Sequence, residues 1–211
     1  MKITITSISS LNGGNDTVFS IKLSEGSKHE KRQLVILTAL SSELRRECAD
    51  ISEEDFDLLL EASSISVAIK RGMNALAYSA CSEKKLIYKL TAKGISREHA
   101  AAAAKYLVKC GYIRENDDAA REAERSLAKH WGRKRIAAAL FEKGYSEEAI
   151  AFAMSTVDEV DFSERCAELI KKKFPSEHSD PSKFKSIYAH LLRYGYSTSE
   201  IKSALLRLAN E

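Results

Sequence analysis

Proline is almost missing from this chain: two occur in 211 residues, beside nine glycines. That excludes a proline-rich spacer, a collagen-like rod and a glycine-rich low-complexity tract. Long apolar runs are missing too. No stretch approaches the roughly 20 apolar residues that a membrane-spanning helix needs. The start, Met1-Lys2-Ile3-Thr4, lacks the apolar core of a secretory signal. A cytoplasmic location and no membrane partner are therefore expected. Cysteine occurs at Cys48, Cys81, Cys110 and Cys166, with no CxxC and no pair at metal-ligand spacing. Reduced, half-buried core thiols are the expectation.

Catalytic patterns are equally scarce. His29, His99, His130, His178 and His190 are scattered, and none falls in an HExxH frame. Gly13-Gly14 lacks the Lys-Ser/Thr that completes a phosphate loop, so it reads as a hairpin turn. The acidic pairs Glu53-Glu54, Asp117-Asp118 and Glu147-Glu148 fall at expected helix starts, where the helix dipole accounts for them. Without a nucleophile, a ligand set or an acid–base pair at recognisable spacing, neither an enzyme nor a cofactor is expected.

Charge of one sign is not in large excess. The 33 Lys and Arg against 30 Asp and Glu leave a net of +3. The distribution is uneven, however. Residues 1–70 hold 8 basic and 11 acidic side chains, whereas residues 71–211 hold 25 and 19. An anionic partner would prefer the second part.

What the sequence does contain divides into two textures. Residues 2–9 and Val18–Leu23 alternate apolar and polar side chains around the turn signal Asn12-Gly13-Gly14-Asn15-Asp16. Arg32–Leu37 makes a plausible third strand, giving a small antiparallel meander that must pack on helices to be stable. From Ser41 the period becomes helical. A short helix fits Ser41–Cys48. A longer one, capped by Ser52 and led by Glu53-Glu54-Asp55, runs to about Cys81, with Gly72 marking a kink or a close approach.

An internal repeat dominates the rest. Leu86, Leu90, Gly94, Ile95 and Ser96 align with Ile136, Leu140, Gly144, Tyr145 and Ser146. They align again with Ile187, Leu191, Gly195, Tyr196 and Ser197, at offsets of 50 and 51 residues. Each i,i+4 apolar pair marks one helix face. Each glycine stands where the chain leaves a helix through a left-handed residue, and each serine can cap the next helix. That next helix would bury Ala100, Ala103, Ala104 and Leu107, with mates Ile150, Ala153, Met154 and Val157, then Ile201, Ala204, Leu205 and Leu208. A further helix precedes each pair, at about 74–81, 117–131 and 162–173. Pro175 ends the last of these, and Asp180-Pro181 starts the next helix. The expected fold is mainly α, with tandem three-helix repeats forming an elongated, curved array behind a small β-rich N-terminal subdomain. The expected boundaries are a β-rich extension over 1–40, connecting helices over 41–73, and repeats over 74–113, 114–158 and 159–211.

Basic residues recur on the first helix of each capped pair. They are Lys84, Lys85, Lys89 and Lys93; then Arg133, Lys134, Arg135 and Lys143; then Lys183, Lys185 and Arg193. Stacked repeats would line them into a stripe suited to phosphates or to an acidic groove. A solvated helix face, neutralised by Glu83, Glu98, Glu142 and Glu147, fits the same pattern equally well. Trp131, Tyr112, Tyr145, Tyr194 and Tyr196 sit beside caps, which favours packing over base stacking or interface anchoring.

These blocks resemble the RecX family, bacterial regulators of the RecA recombinase. The resemblance rests on Ser82, Leu86, Leu90, Lys93, Gly94 and Ile95; on Trp131-Gly132, Arg135-Ile136, Leu140 and Lys143-Gly144; and on Leu191, Arg193 and Gly195-Tyr196-Ser197. It implies a monomer that binds a RecA–single-stranded-DNA filament, with possible direct DNA contacts, and restrains its ATPase and strand-exchange activity. A helical-repeat protein that binds DNA directly, and an adaptor with another protein partner, are the alternatives that the residues leave open.

Overall fold

The computed structural model describes residues 2–41, 44, 48–175 and 181–209. Its strands are β1 (Lys2–Leu11), β2 (Asp16–Glu25), β3 (Lys28–Leu37) and β4 (Asp50–Ile51). Its α-helices are α1 (Thr38–Ser41), α2 (Glu53–Tyr78), α3 (Glu83–Thr91), α4 (Arg97–Lys109) and α5 (Glu115–Leu127). They continue with α6 (Arg133–Glu142), α7 (Glu147–Ser155), α8 (Phe162–Lys173), α9 (Phe184–Arg193) and α10 (Thr198–Ala209). Packing divides the chain into two units: Met1–Ser79 with Leu86–Tyr112, and Ala80–Lys85 with Ile113–Glu211. The division falls inside α3.

In the first unit, an antiparallel sheet has the order β3-β2-β1-β4. The meander expected from alternation is present, with longer strands and one addition, the two-residue β4 beside β1. The expected short helix over 41–48 lies mostly outside the described residues; α1 ends at Ser41. Ile3 and Ile5 point into the core, but strict alternation would then send Ser7 inward and Ile8 out. A bulge between Ile5 and Ser7 resets the register, so Ile8 packs on the same core. Opposite the sheet, α2 contributes Phe56 and Leu59 to this core. Its start is capped as expected, Ser52 Oγ accepting from the Asp55 N–H at 3.0 Å.

The far half of α2 packs on α4, whose Ala100, Ala103, Ala104 and Leu107 are fully buried. Gly72 serves close approach, not a kink: a Cβ there would stand 2.7 Å from Leu107 Cδ1. The separate helix expected at 74–81 is instead the end of α2, which runs unbroken for 26 residues. Nothing in its sequence breaks the helix before Ser79.

The second unit has one apolar core, built from both of its three-helix groups, α5-α6-α7 and α8-α9-α10. Ile136, Leu140, Ala149, Ala153, Ile187, Leu191, Tyr196, Ile201 and Ala204 are all buried in it. The start of α8 at Phe162 and its end before Pro175 fall as expected, and Asp161 caps it by accepting from Ser163 and Glu164 N–H groups. Asp180, expected as a cap, lies outside the described residues; Pro181–Lys183 form a 3₁₀ turn into α9. Of the thiols, Cys81 and Cys166 are buried, but Cys48 and Cys110 are exposed. Cys110 closes the exposed end of α4, where helical period alone does not determine depth.

All three glycine caps form as expected. Gly94, Gly144 and Gly195 have φ of 83°, 80° and 91°. The following N–H groups of Ile95, Tyr145 and Tyr196 reach back to Leu90, Leu140 and Leu191 carbonyls at 3.2, 3.3 and 3.2 Å. Ser96, Ser146 and Ser197 then cap the next helices, accepting from His99, Ala149 and Glu200 N–H groups.

Each glycine cap is also docked upon from outside its own helix. The carbonyl just before the glycine accepts a donor each time: Lys93 O from Arg71 Nη1 at 3.3 Å, Lys143 O from Ser82 Oγ at 2.9 Å, and Tyr194 O from Gly132 N at 2.7 Å. In the last two cases the donor is the N-terminal cap residue of α3 or α6. In both cases a helix start thus gives a partner to a carbonyl at the end of another helix.

Candidate functional site

The junction between α6 and α9 concentrates the basic and aromatic side chains of the second unit. Its geometry begins with two glycines. A Cβ on Gly132 would stand 2.4 Å from Gly195 C, and a Cβ on Gly195 would stand 2.4 Å from Arg135 N. Only bare backbone lets the start of α6 settle here, where Lys134 N also donates to Gly195 O at 3.1 Å.

That contact fixes Arg135 between two rings. Its guanidinium carbon lies 4.2 Å from the Trp131 ring centre and 5.2 Å from that of Tyr194. Lys129 Nζ approaches the same Trp131 ring at 5.0 Å. Beyond Tyr194 the stack continues through the His190 ring, 4.7 Å away, to Phe174 at 5.2 Å edge-on. Cations on ring faces and offset rings are each favourable by about 0.5–1 kcal/mol at partly exposed sites.

Both histidines of this junction are held below the ordinary histidine pKa. For His190 the causes are burial, then Arg193 and Lys173. For His130 they are burial, then Arg165 and Lys172, opposed by Glu168. The positive charges that depress them are therefore close by. Lys129 and Arg135 lie over Trp131, Arg135 also faces Tyr194, and Lys172, Lys173 and Arg193 act on one or other histidine. Such a surface can hold phosphates by charge and flat groups by stacking.

The basic residues singled out by sequence fall into different situations. Lys89 and Lys93 belong to the first unit; Lys84, Lys85 and the others belong to the second. Arg133 is ion-paired with Asp158 and lies over Phe162, and Lys143 bridges to Glu122 at 2.6 Å. Arg135 is half-buried between its rings. Lys84, Lys85, Lys93, Lys134, Lys183, Lys185 and Arg193 are exposed. Sequence reasoning missed Lys129, Lys172 and Lys173. The run Lys171-Lys172-Lys173 was visible, but it looks like an ordinary helix C-terminus.

The tyrosines divide as well. Tyr196 is fully buried and donates its hydroxyl to His130 O at 2.9 Å, and Tyr145 is buried. Tyr112 is 54% exposed, against the expectation of packing, because its ring lies past the cap that closes α4. His130 itself has φ of 55° and does at the end of α5 what glycine does elsewhere, Trp131 N reaching back to Ser126 O at 3.3 Å. That closure shortens the helix expected over 117–131 to Glu115–Leu127.

Shifted groups elsewhere move away from reactivity. Burial pushes the Cys166 thiol up to about 12, the opposite of an activated nucleophile. Burial likewise raises Tyr145 to about 12, with Asp118 and Glu122 adding to it. Among the described residues, no group of three or more His, Cys, Asp or Glu could hold a metal ion, and no helix is long and apolar enough to cross a membrane.

No family model matches the sequence, and no curated protein matches it. Solved structures do. A structure described as the regulatory protein RecX superposes with a TM-score of 0.75 over 95% of this chain and 98% of its own, at 18% identity. The fold is that of RecX. RecX from Lactobacillus salivarius agrees with a TM-score of 0.63 over 71% of this chain and 99% of its own, at 22% identity. The mainly helical chain with its small N-terminal sheet therefore follows the RecX architecture over nearly its full length.

Proposed function

We propose that this chain is a non-catalytic regulator of the RecX type, which binds a RecA filament on single-stranded DNA and restrains its ATPase and strand-exchange activity. The observation that carries this reading is the shared fold with RecX over 95% of the chain. The glycine-capped repeat supports it independently, since the residues that resemble the family are those that close and dock the helices. The physical logic is multivalent: weak patches on successive repeats engage a periodic partner together.

The basic and aromatic junction of α6 and α9 is the surface we assign to that contact, with Lys134 and Arg193 as its outward charges and Lys185 exposed near the start of α9. The test is the ATPase rate of RecA on single-stranded DNA, titrated with this protein at moderate salt. A fall at substoichiometric protein is expected. No fall, together with no binding to the filament, overturns the reading in favour of an adaptor with another partner. Tight, strongly salt-dependent binding to bare single-stranded DNA, with no requirement for RecA, would instead favour the direct DNA-binding reading that the same basic surface permits.

A further inference from the structure

Two helices of the second unit, α6 and α9, present matching outward faces. Their buried pairs, Ile136 with Leu140 and Ile187 with Leu191, enter one shared core. Opposite each pair, at the spacing i, i+4, i+7, stand Lys134, Ala138 and Phe141 on α6, and Lys185, Ala189 and Leu192 on α9. The two sets occupy the same repeat positions, 51 residues apart, and all of these side chains are exposed. Phe141 is 69% exposed and Leu192 44%.

A lone exposed apolar side chain carries no meaning, since much of any protein surface is apolar. Recurrence is different. A large apolar residue returns at one place in two successive repeats, two helical turns (roughly 10 Å) beyond a lysine that also returns. Thr91 holds the matching place in the first repeat, so the fold of the repeat does not require an apolar residue there. Neither Phe141 nor Leu192 belongs to the core of the unit.

The chemistry of the pair restricts the partner. Lysines suit phosphates and carboxylates alike. The apolar member decides between them. A strand of nucleic acid would engage such a position by stacking a base on an aromatic ring, and Leu192 has no ring. A protein surface buries Phe and Leu alike, by area. We propose that the outward faces of α6 and α9 each dock on protein, the lysine beside an acidic side chain and Phe141 or Leu192 in an apolar depression roughly 10 Å from it. The inference rests on the filament reading above and deepens it: these two faces contact the protein subunits of the filament rather than its DNA. Repeated subunits supply the recurrent acidic and apolar pair.

The test measures binding of the full chain to the RecA filament on single-stranded DNA and to bare single-stranded DNA, each at low and high salt. Phe141→Ser and Leu192→Ser change exposed side chains, so helical content and melting temperature should stay as in the wild type. Each should weaken filament binding about tenfold, and both together about a hundredfold, by factors that salt changes little. Affinity for bare DNA should not change. Phe141→Leu should bind the filament within about twofold of the wild type, because an apolar depression accepts either side chain. The inference alone is overturned if the wild type binds the filament and the double serine variant binds it equally well. It is overturned as well if filament and bare-DNA affinities fall in the same proportion, which assigns the face to the strand, or if Phe141→Leu loses as much as Phe141→Ser, which requires stacking. A wild-type chain that binds no filament overturns the filament reading and this inference with it.

Discussion

Gly94, Gly144 and Gly195 occupy one position of the repeat with nearly one backbone conformation, yet their surroundings differ. A Cβ on Gly94 meets nothing within 4 Å, one on Gly144 meets Ser82 Oγ at 3.2 Å, and one on Gly195 meets Arg135 N at 2.4 Å. Alanine at Gly94 should therefore cost only the left-handed strain, about 1 kcal/mol. Alanine at Gly195 adds a clash with backbone and should cost at least about 3 kcal/mol. Urea denaturation followed by circular dichroism measures both; equal losses would mean that conformation alone matters at these caps. His130 and His190 offer a second residue-scale test. Each is held below the usual value of 6.5, so between the depressed and usual values the unfolded chain binds more protons than the folded one. Their contribution to stability is full above 6.5 and is lost as pH falls through the folded values. Melting temperature should fall with acidification in that window. The His130→Asn, His190→Gln double variant should flatten the fall, Asn being tolerant of a positive φ.

At the scale of elements, helix ends as well as the apolar helix faces hold the second unit together. Ser82 has two duties there: its Oγ accepts from Lys85 N at 3.2 Å, capping α3, and donates to Lys143 O at the end of α6. Glu115 ties the same region together, accepting from Glu83 N at 2.7 Å and Ser146 N at 3.2 Å. Ser82→Ala removes a cap and leaves a partly buried carbonyl without this donor, for an expected loss of about 1–2 kcal/mol. Ser82→Thr, which keeps the hydroxyl, should retain more of the stability. If both variants unfold at the wild-type urea midpoint, the docking of α3 on the Gly144 cap contributes nothing.

For the molecule as a whole, the useful distinction is between charges committed to the fold and charges left to a partner. From the sequence, reversing Arg133, Lys134 and Arg135 to Glu together is expected to weaken filament binding and to leave helical content unchanged. In the structure, Arg133 holds Asp158 and Arg135 fills the space between Trp131 and Tyr194, so that triple reversal would disturb stability as well as binding. Lys134→Glu, Lys185→Glu and Arg193→Glu change exposed side chains instead. Together they should leave the melting temperature within about 1–2 °C, because surface substitutions away from packed features change little. They should raise the protein concentration needed to inhibit RecA ATPase about tenfold or more, as expected for loss of several phosphate or acidic-groove contacts. Unchanged inhibition would remove these three residues from the interface.

The sequence by itself determined the elements that depend on local chemistry. Alternation around Asn12–Gly14 specified the hairpin, serine caps specified helix starts, and three glycines at offsets of 50 and 51 residues specified helix ends. These signals are legible because turns, caps and left-handed residues are decided within a few residues of chain. Tertiary structure alone decided what lies far apart in sequence. The bulge that brings Ile8 inward and the short β4 depend on what each segment packs against. So do the closeness of Gly132 to Gly195 and the stacking of Arg135 between two rings. A periodic pattern states which face of a helix is apolar; only the packed neighbours state which basic side chains remain free for a partner.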